Sequence, residues 1–367
     1  MKFTASREGL LKPLQAVIGV VERRQTMPIL ANVLLVARNN RLAITATDLE
    51  VELVAQGEAE VATGGEITVP GRKLLDICRA LPEGAEMAFS LSGDKLGLRS
   101  GRSRFTLATL PAGEFPTVED IKAGPALTLP QSLLARLIEK TWFSMAQQDV
   151  RYYLNGLLLE TGNKRLRAVA TDGHRLALAQ VEVDGNGLGK GESQVIVPRK
   201  GVLELQRLLQ GDGELKLELG QNHIRIQLDG IRFTSKLIDG RFPEYERVIP
   251  RETSNVVTAD RETLRSALQR TAILSNEKYR GIRLTIRPGT MVLQAHNPEQ
   301  EEAEEEVEIS YEGEDLEIGF NVNYLLDALG AIDAEQVTMA VVDSNSSCLL
   351  REPGNEDCKY VVMPMRL

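Results

Sequence analysis

Asp172 and His174 stand two residues apart in the run Thr171-Asp-Gly-His-Arg-Leu176. A carboxylate beside an imidazole is the pairing that general acid–base catalysis uses. Spacing alone does not make a dyad, and no nucleophile or metal-ligand set accompanies the pair. The other two histidines, His223 and His296, fall in strand-like runs. Three cysteines, Cys78, Cys348 and Cys358, offer no short paired spacing and too few ligands for zinc. Their odd number and the lack of a signal peptide point to a reducing cytoplasm. There is no Gly-rich phosphate loop of the P-loop type, so no ATP hydrolysis is expected. No apolar run approaches the roughly 18 residues that a membrane span needs. No catalytic residue, metal or cofactor is expected, and the chain reads as something other than an enzyme.

The stretch that holds Asp172 has a twin. Residues 170–180 begin Ala-Thr-Asp and end Ala-Gln, as do residues 46–56, 124 positions earlier. The copies differ where the later one has Gly173, His174 and Arg175 and the earlier one has Leu49, Glu50 and Val51. A structural unit has been duplicated, and one copy carries a site.

The elements around both copies follow one plan. A short strand leads into a helix whose apolar residues (Leu10, Leu14, Val17, Val21) recur at helical spacing, and three alternating runs follow at 30–36, 41–47 and 51–56. The plan repeats with a strand at 66–69, a helix to Leu81 and strands at 86–91, 95–99 and 103–109. It restarts at Leu127, with Pro130 as the first helical residue, and again near Val256. Gly113-Glu-Phe-Pro116 and Gly240-Arg-Phe-Pro243 close the first two units, 127 residues apart. The fold class is therefore α+β. Three tandem copies of a two-half β-α-β-β-β antiparallel unit span 1–122, 127–250 and 254–367.

A net charge of −9 argues against a strongly basic nucleic-acid binder. The charge is unevenly placed. The six helical segments together carry +7, leaving −16 for the strands and loops. Charged helix faces are commonly just solvated. If the helices share one side of joined sheets, they instead form a basic face that attracts phosphates without reading bases.

Four stretches in register resemble the bacterial DNA polymerase III β-subunit family, the sliding clamps. They are Thr171-Asp-Gly-His-Arg-Leu176, Arg241-Phe-Pro-Glu-Tyr245, Ser275-Asn-Glu-Lys-Tyr-Arg-Gly281 and Val362-Met-Pro-Met-Arg-Leu367. The resemblance covers the whole chain. It implies the DNA clamp fold: a head-to-tail homodimer closed into a ring, helices lining the hole, sheets outside and duplex DNA passing through. The implied function is to slide without sequence specificity and to tether the polymerase III α subunit, the clamp loader and other replication and repair proteins. Tethering raises effective concentration and so gives processivity. A peptide-binding scaffold that does not encircle DNA is the alternative.

The family pattern maps a partner-peptide groove onto Leu154, Thr171, Gly173, His174, Arg175, Leu176, Pro243, Val248, Tyr324, Ser347, Val361, Met363, Pro364, Met365, Arg366 and Leu367. Leu, Val, Pro and Met suit an apolar trough, while His174, Arg175 and Arg366 suit its polar rim. The expected ligand is a short linear peptide with Gln and Leu/Phe anchors. DNA-facing candidates are Arg24, Arg72, Lys73, Gln148, Tyr152, Tyr153, Arg199 and Lys200, with Glu22 and Glu246 placing acids where the family often has neutral or basic residues. For the dimer interface, Arg99, Arg102 and Arg104 on a strand of the first unit would meet Glu299, Glu301, Glu302, Glu304 and Glu305, beside Phe105, Leu107, Ile273 and Leu274.

Overall fold

The computed structural model describes residues 1–21, 27–118, 126–162, 164–183, 193–250 and 255–366. The first repeat forms β1 (Lys2–Ser6), α1 (Arg7–Val17), β2 (Asn32–Arg38), β3 (Arg41–Thr47), β4 (Val51–Glu58), β5 (Glu60–Thr63), β6 (Gly65–Pro70), α2 (Gly71–Ala80), β7 (Glu86–Ser92), β8 (Lys95–Ser100) and β9 (Ser103–Ala108). The second forms β10 (Ala126–Pro130), α3 (Gln131–Glu139), β11 (Gly156–Gly162), β12 (Arg165–Thr171), β13 (Arg175–Glu182), β14 (Ser193–Pro198), α4 (Arg199–Leu208), β15 (Glu214–Leu219), β16 (His223–Leu228) and β17 (Ile231–Lys236). The third forms β18 (Val256–Asp260), α5 (Arg261–Thr271), β19 (Gly281–Arg287), β20 (Thr290–His296), β21 (Glu302–Glu308), β22 (Leu316–Asn321), α6 (Val322–Ala331), β23 (Gln336–Ala340), β24 (Cys348–Arg351) and β25 (Cys358–Val362).

Contacts divide the chain into two compact units, each holding two antiparallel sheets. In the first unit the order is β5-β1-β7-β8-β9 in one sheet and β10-β15-β16-β17-β4-β3-β2-β6 in the other. The second unit holds β14-β11-β12-β13-β25-β24-β23-β18 and β21-β20-β19-β22. Each eight-stranded sheet is thus assembled from halves of two successive repeats. The seams are β17 with β4, where Ile231 faces Ala55, and β13 with β25, where Leu176 faces Val361. Backbone hydrogen bonds cross both seams, so the contact units do not follow the sequence repeats.

Within each unit, helices bury their apolar stripes. Leu10, Leu14 and Val17 of α1 are fully buried, and α1 packs on β4 and α2. The α5 helix, with Leu264 and Leu268 buried, packs on α6 and β21. Aromatics are scarce, and the stacked Phe3–Phe89 pair, centroids 4.5 Å apart, is one of few ring contacts. Side-chain caps start three of these helices, Asn321 Oδ1 accepting from the Asn323 N–H of α6 at 2.9 Å. Ser6 Oγ accepts from the Gly9 N–H at 3.0 Å and the Asp260 carboxylate from the Thr263 N–H at 2.7 Å.

Two local expectations fail. Pro130 is the last residue of β10 rather than the first of α3. The ladder continues to Pro130 opposite Glu214, and the Gln131 N–H is bonded to Gly213 O at 2.9 Å, which holds the proline extended. The strand β5 was not anticipated. Its four residues are mostly exposed and lack an apolar alternation, so only the irregular pairing to β1 defines it.

The twin stretches form one turn twice. Thr171 Oγ1 donates to Arg175 O at 2.6 Å and accepts from Gly173 N, while Asp172 Oδ1 accepts from the N–H groups of His174 and Arg175. Thr47 and Asp48 make the same four bonds to Val51 O and to the N–H groups of Leu49, Glu50 and Val51. The third residue has φ +88° at Gly173 and +77° at Leu49. A leucine there is strained, because the left-handed region crowds Cβ against the carbonyl at a cost of about 1–2 kcal/mol. Replacing Leu49, 40% exposed, by glycine relieves that strain against a smaller entropic loss. Leu49→Gly is expected to raise stability in urea denaturation by about 0.5–1 kcal/mol.

Candidate functional site

The seam between β13 and β25 lays down the floor of a groove of about 780 Å³. Leu176 and Val361 face each other across the ladder and, with Leu154, are buried. They belong to a cluster with Leu158, Val169, Phe242 and Tyr245 that supports the floor from below. The walls come from three loops. Pro243 to Pro250 form one side, Val342, Ser346 and Ser347 another, and Arg151 and Tyr153 an end. Met363 reaches the rim because its N–H donates to His174 O at 2.9 Å, one step beyond the last ladder pair, Arg175 with Val362. Val248, Met363 and Val342 are 54%, 48% and 46% exposed although apolar, and all three line this groove. Large apolar side chains gathered in water mark a binding surface.

Arg175 holds the groove's end in place. Its Nε donates to Asp172 at 3.1 Å, Nη1 to Asp327 on α6, and Nη2 to Phe143 O at 2.7 Å. Its guanidinium lies 4.5 Å from the centroid of Tyr324. Each guanidinium nitrogen is therefore engaged within the protein, and the side chain acts as a strut. Burial pushes the Tyr324 phenol above its ordinary range. Arg151 meets the same turn: it pairs with Asp149 at 2.8 Å and donates to Asp172 O. Hydrogen bonds from Arg151 hold the Asp149 carboxyl down at about 2. A Cβ on Gly173 would lie 2.9 Å from the Arg151 guanidinium, so glycine here serves both the positive φ and the close approach.

Asp172 spends its carboxylate on this turn and on Arg175, which leaves no free base beside His174. Cys78, Cys348 and Cys358 are free and buried, and burial pushes the Cys78 thiol up to about 12. Among the described residues no group of three or more His, Cys, Asp or Glu side chains could hold a metal ion.

The groove gathers Leu154, Thr171, Gly173, Arg175, Leu176, Pro243, Val248, Ser347, Val361 and Met363 from the sequence-derived set. His174 is exposed and not part of the lining; its backbone carbonyl anchors the tail. Tyr324 stacks on Arg175 instead of lining the groove, and Pro364 lies outside the lining. Met365 and Arg366 border a separate hollow of about 560 Å³ near Tyr279, Arg283 and His296, and the Met365 N–H donates to Gly319 O at 2.8 Å. Leu367 lies outside the described residues. The sequence does not single out Arg151, Glu244, Tyr245, Arg247, Ile249, Pro250, Val342 and Ser346 as lining, and it places Tyr153 with the DNA candidates. Adjacency to Pro243, Val248 and Ser347 is the available signal for Glu244, Tyr245, Arg247, Ile249, Pro250 and Ser346; Arg151 and Val342 carry none.

The DNA candidates divide by engagement. Arg72 donates to Val21 O at 2.6 Å, Arg199 lies over Trp142 with its guanidinium 5.7 Å from the centroid, and Lys200 pairs with Asp48. Lys73, Gln148 and Tyr152 are exposed, Tyr152 standing edge-on to Tyr153. Tyr152, Tyr153 and Leu154 make a 3-10 turn rather than a strand start. Arg24 lies outside the described residues.

The interface candidates mark two sheet edges. Arg99 and Arg104 face each other across β8 and β9, and Arg102 lies in the turn between these strands, so the three do not share one strand. Phe105 is half-buried and Leu107 buried. β21 is the edge of its own sheet. Glu302 and Glu304 on β21 are exposed, as are Glu299 and Glu301 before it, while Glu305 pairs with Arg270 at 2.6 Å, which lowers its pKa. Ile273 is 75% exposed beside the half-buried Leu274.

Family models of the DNA polymerase III beta subunit match the chain three times: the N-terminal domain over residues 1–119, the central domain over 128–244 and the C-terminal domain over 246–366. The chain belongs to the DNA polymerase III beta subunit family. It is 58% identical to a beta sliding clamp of Pseudomonas putida and 51% identical to that of Escherichia coli K12, over the full length of each. A crystal structure of the Pseudomonas aeruginosa beta subunit, 57% identical, matches with a TM-score of 0.97 over 100% of both chains. The fold is the three-domain DNA clamp fold, and the function is that of a DNA sliding clamp, a processivity factor with no chemistry of its own.

The strut role of Arg175 is testable. Arg175→Ala takes a donor from Asp172, Asp327 and Phe143 O and should cost about 2–3 kcal/mol in urea denaturation. Arg175→Lys should recover less than half of that, because an ammonium cannot reproduce the planar fork.

Proposed function

We propose that two copies join head to tail into a ring around duplex DNA, and that the groove tethers the polymerase and other replication proteins by short linear peptides. The observation that carries the reading is the groove itself: exposed Val248, Val342 and Met363 over a buried apolar floor, rimmed by polar groups. That composition suits an extended peptide with apolar anchors. The repeats serve as three clamp domains over 1–122, 127–250 and 254–367.

Ring closure is supported by the two free edges. Arg99 and Arg104 stand directly opposite each other with no acidic partner among the described residues, an arrangement that repels until a carboxylate arrives. The glutamates of β21 supply carboxylates on an edge whose backbone groups also lack a strand partner. Exposed Ile273 would add apolar contact beside them. DNA would be held by weak, salt-sensitive contacts from exposed helix residues such as Lys73, which permit sliding. A cytoplasmic location fits three free thiols, and no helix among the described residues is long and apolar enough to cross a membrane.

Once loaded, the protein should remain on closed circular DNA and be lost when the circle is linearised, as read by gel filtration at moderate salt. Retention that ignores topology would favour a scaffold that does not encircle DNA. Ile273→Ala combined with Leu274→Ala should shift sedimentation at nanomolar protein toward monomer. Deleting residues 363–367 removes Met363 from the rim and should weaken a Gln/Leu/Phe-anchored peptide by about tenfold or more, the scale of one lost apolar contact surface.

A further inference from the structure

The segment that walls the groove at Pro243 to Arg247 also walls a second hollow of about 400 Å³ on its other side. This hollow is polar. The β11–β12 register sets Glu160 opposite Arg167 and Gly162 opposite Arg165, so both arginines stand on one face and nothing but hydrogen opposes Arg165. Arg241 and Arg247 enter from the shared segment.

The four guanidiniums are not equally engaged. Arg167 donates to Tyr245 Oη at 2.7 Å and to Gln180 Oε1 at 3.0 Å, and it pairs with Glu160 and Glu246. It is part of the wall's support, as is Tyr245, whose hydroxyl bonds Glu160 and whose phenol burial pushes up. Arg241 and Arg247 share the single carboxylate of Glu244, at 3.3 and 2.6 Å, and all three are exposed. Such surface pairs contribute little and exchange readily. The Arg165 guanidinium has no hydrogen-bond or ion-pair partner among the described residues. Four arginines against Glu160, Glu244 and Glu246 leave one positive charge uncompensated.

We propose that this hollow takes the carboxylate of an acidic side chain that flanks the apolar anchors of the groove's peptide, with Arg165, Arg241 and Arg247 as its donors. The inference rests on the groove reading above and adds a specificity determinant to it. Continuity of the wall supplies the path, since a chain leaving the groove over Pro243 enters the hollow directly. Charge supplies the preference, because planar guanidinium forks match carboxylates.

The test uses amidated peptides with the same Gln and Leu/Phe anchors, carrying Glu or Gln at either flank, titrated by fluorescence anisotropy. With the unaltered protein, the Glu form at one flank should bind about three- to fivefold tighter than the Gln form at low salt, the scale of a partly exposed ion pair. The gap should shrink at high salt. Arg165→Gln should close the gap while leaving the Gln peptide's affinity unchanged. Equal affinities for Glu and Gln peptides at both flanks would overturn this inference alone. Equal weakening of both peptides by Arg165→Gln would do the same, because it assigns Arg165 to the fold. Failure of every peptide to bind would overturn the groove reading and this inference with it.

Discussion

Backbone N–H and C=O groups on a strand edge must find partners or stay wet, and in this chain each repeat finds partners in the next one. The β17–β4 and β13–β25 ladders turn four-stranded halves into eight-stranded sheets. The groove depends on the second of these seams. Strand β25 could not deliver Met363 to the Asp172 turn unless Leu176 and Val361 were already in register. The tail is then fixed at both ends of its short run, by His174 O and by Gly319 O.

Much of this was legible in the sequence, for reasons that particular residues make plain. Strands with one buried face alternate, as in Ile282, Leu284 and Ile286 on β19. The helices show their stripes, and Asp48 and Asp172 mark the same turn twice. The motifs around Asp172, Pro243 and Met363 located the groove's floor and two of its walls. What sequence could not supply was pairing between distant edges. Nothing local in β4 says that it will meet β17, because pairing is decided by which edges remain open once each half has folded. The groove's remaining lining, such as Val342 and Arg151, was hidden for the same reason. These residues are ordinary loop positions until the sheet brings them to one place.

Charge shows a similar limit. The family pattern made Arg175 a rim cation, and position at a helix start made Arg199 and Lys200 phosphate candidates, but a formal charge carries no information on what surrounds it. The structure has Arg175 engaged at each guanidinium nitrogen, Lys200 paired with Asp48 and Arg199 over Trp142. Each is committed within the fold, and the exposed Lys73 is left as the freer cation of the set.

The opposite signs on β9 and β21 bear on how an isolated copy keeps its open edges from pairing. An open strand edge is a template on which identical edges stack, the first step toward fibrous aggregates. Two β21 edges brought together would press glutamates against glutamates, and two β9 edges would bring together Arg104 of each copy, with Arg99 already opposite it on β8. Like therefore rejects like, and an isolated chain is guarded against the homotypic stacking that its unpaired backbone would otherwise invite.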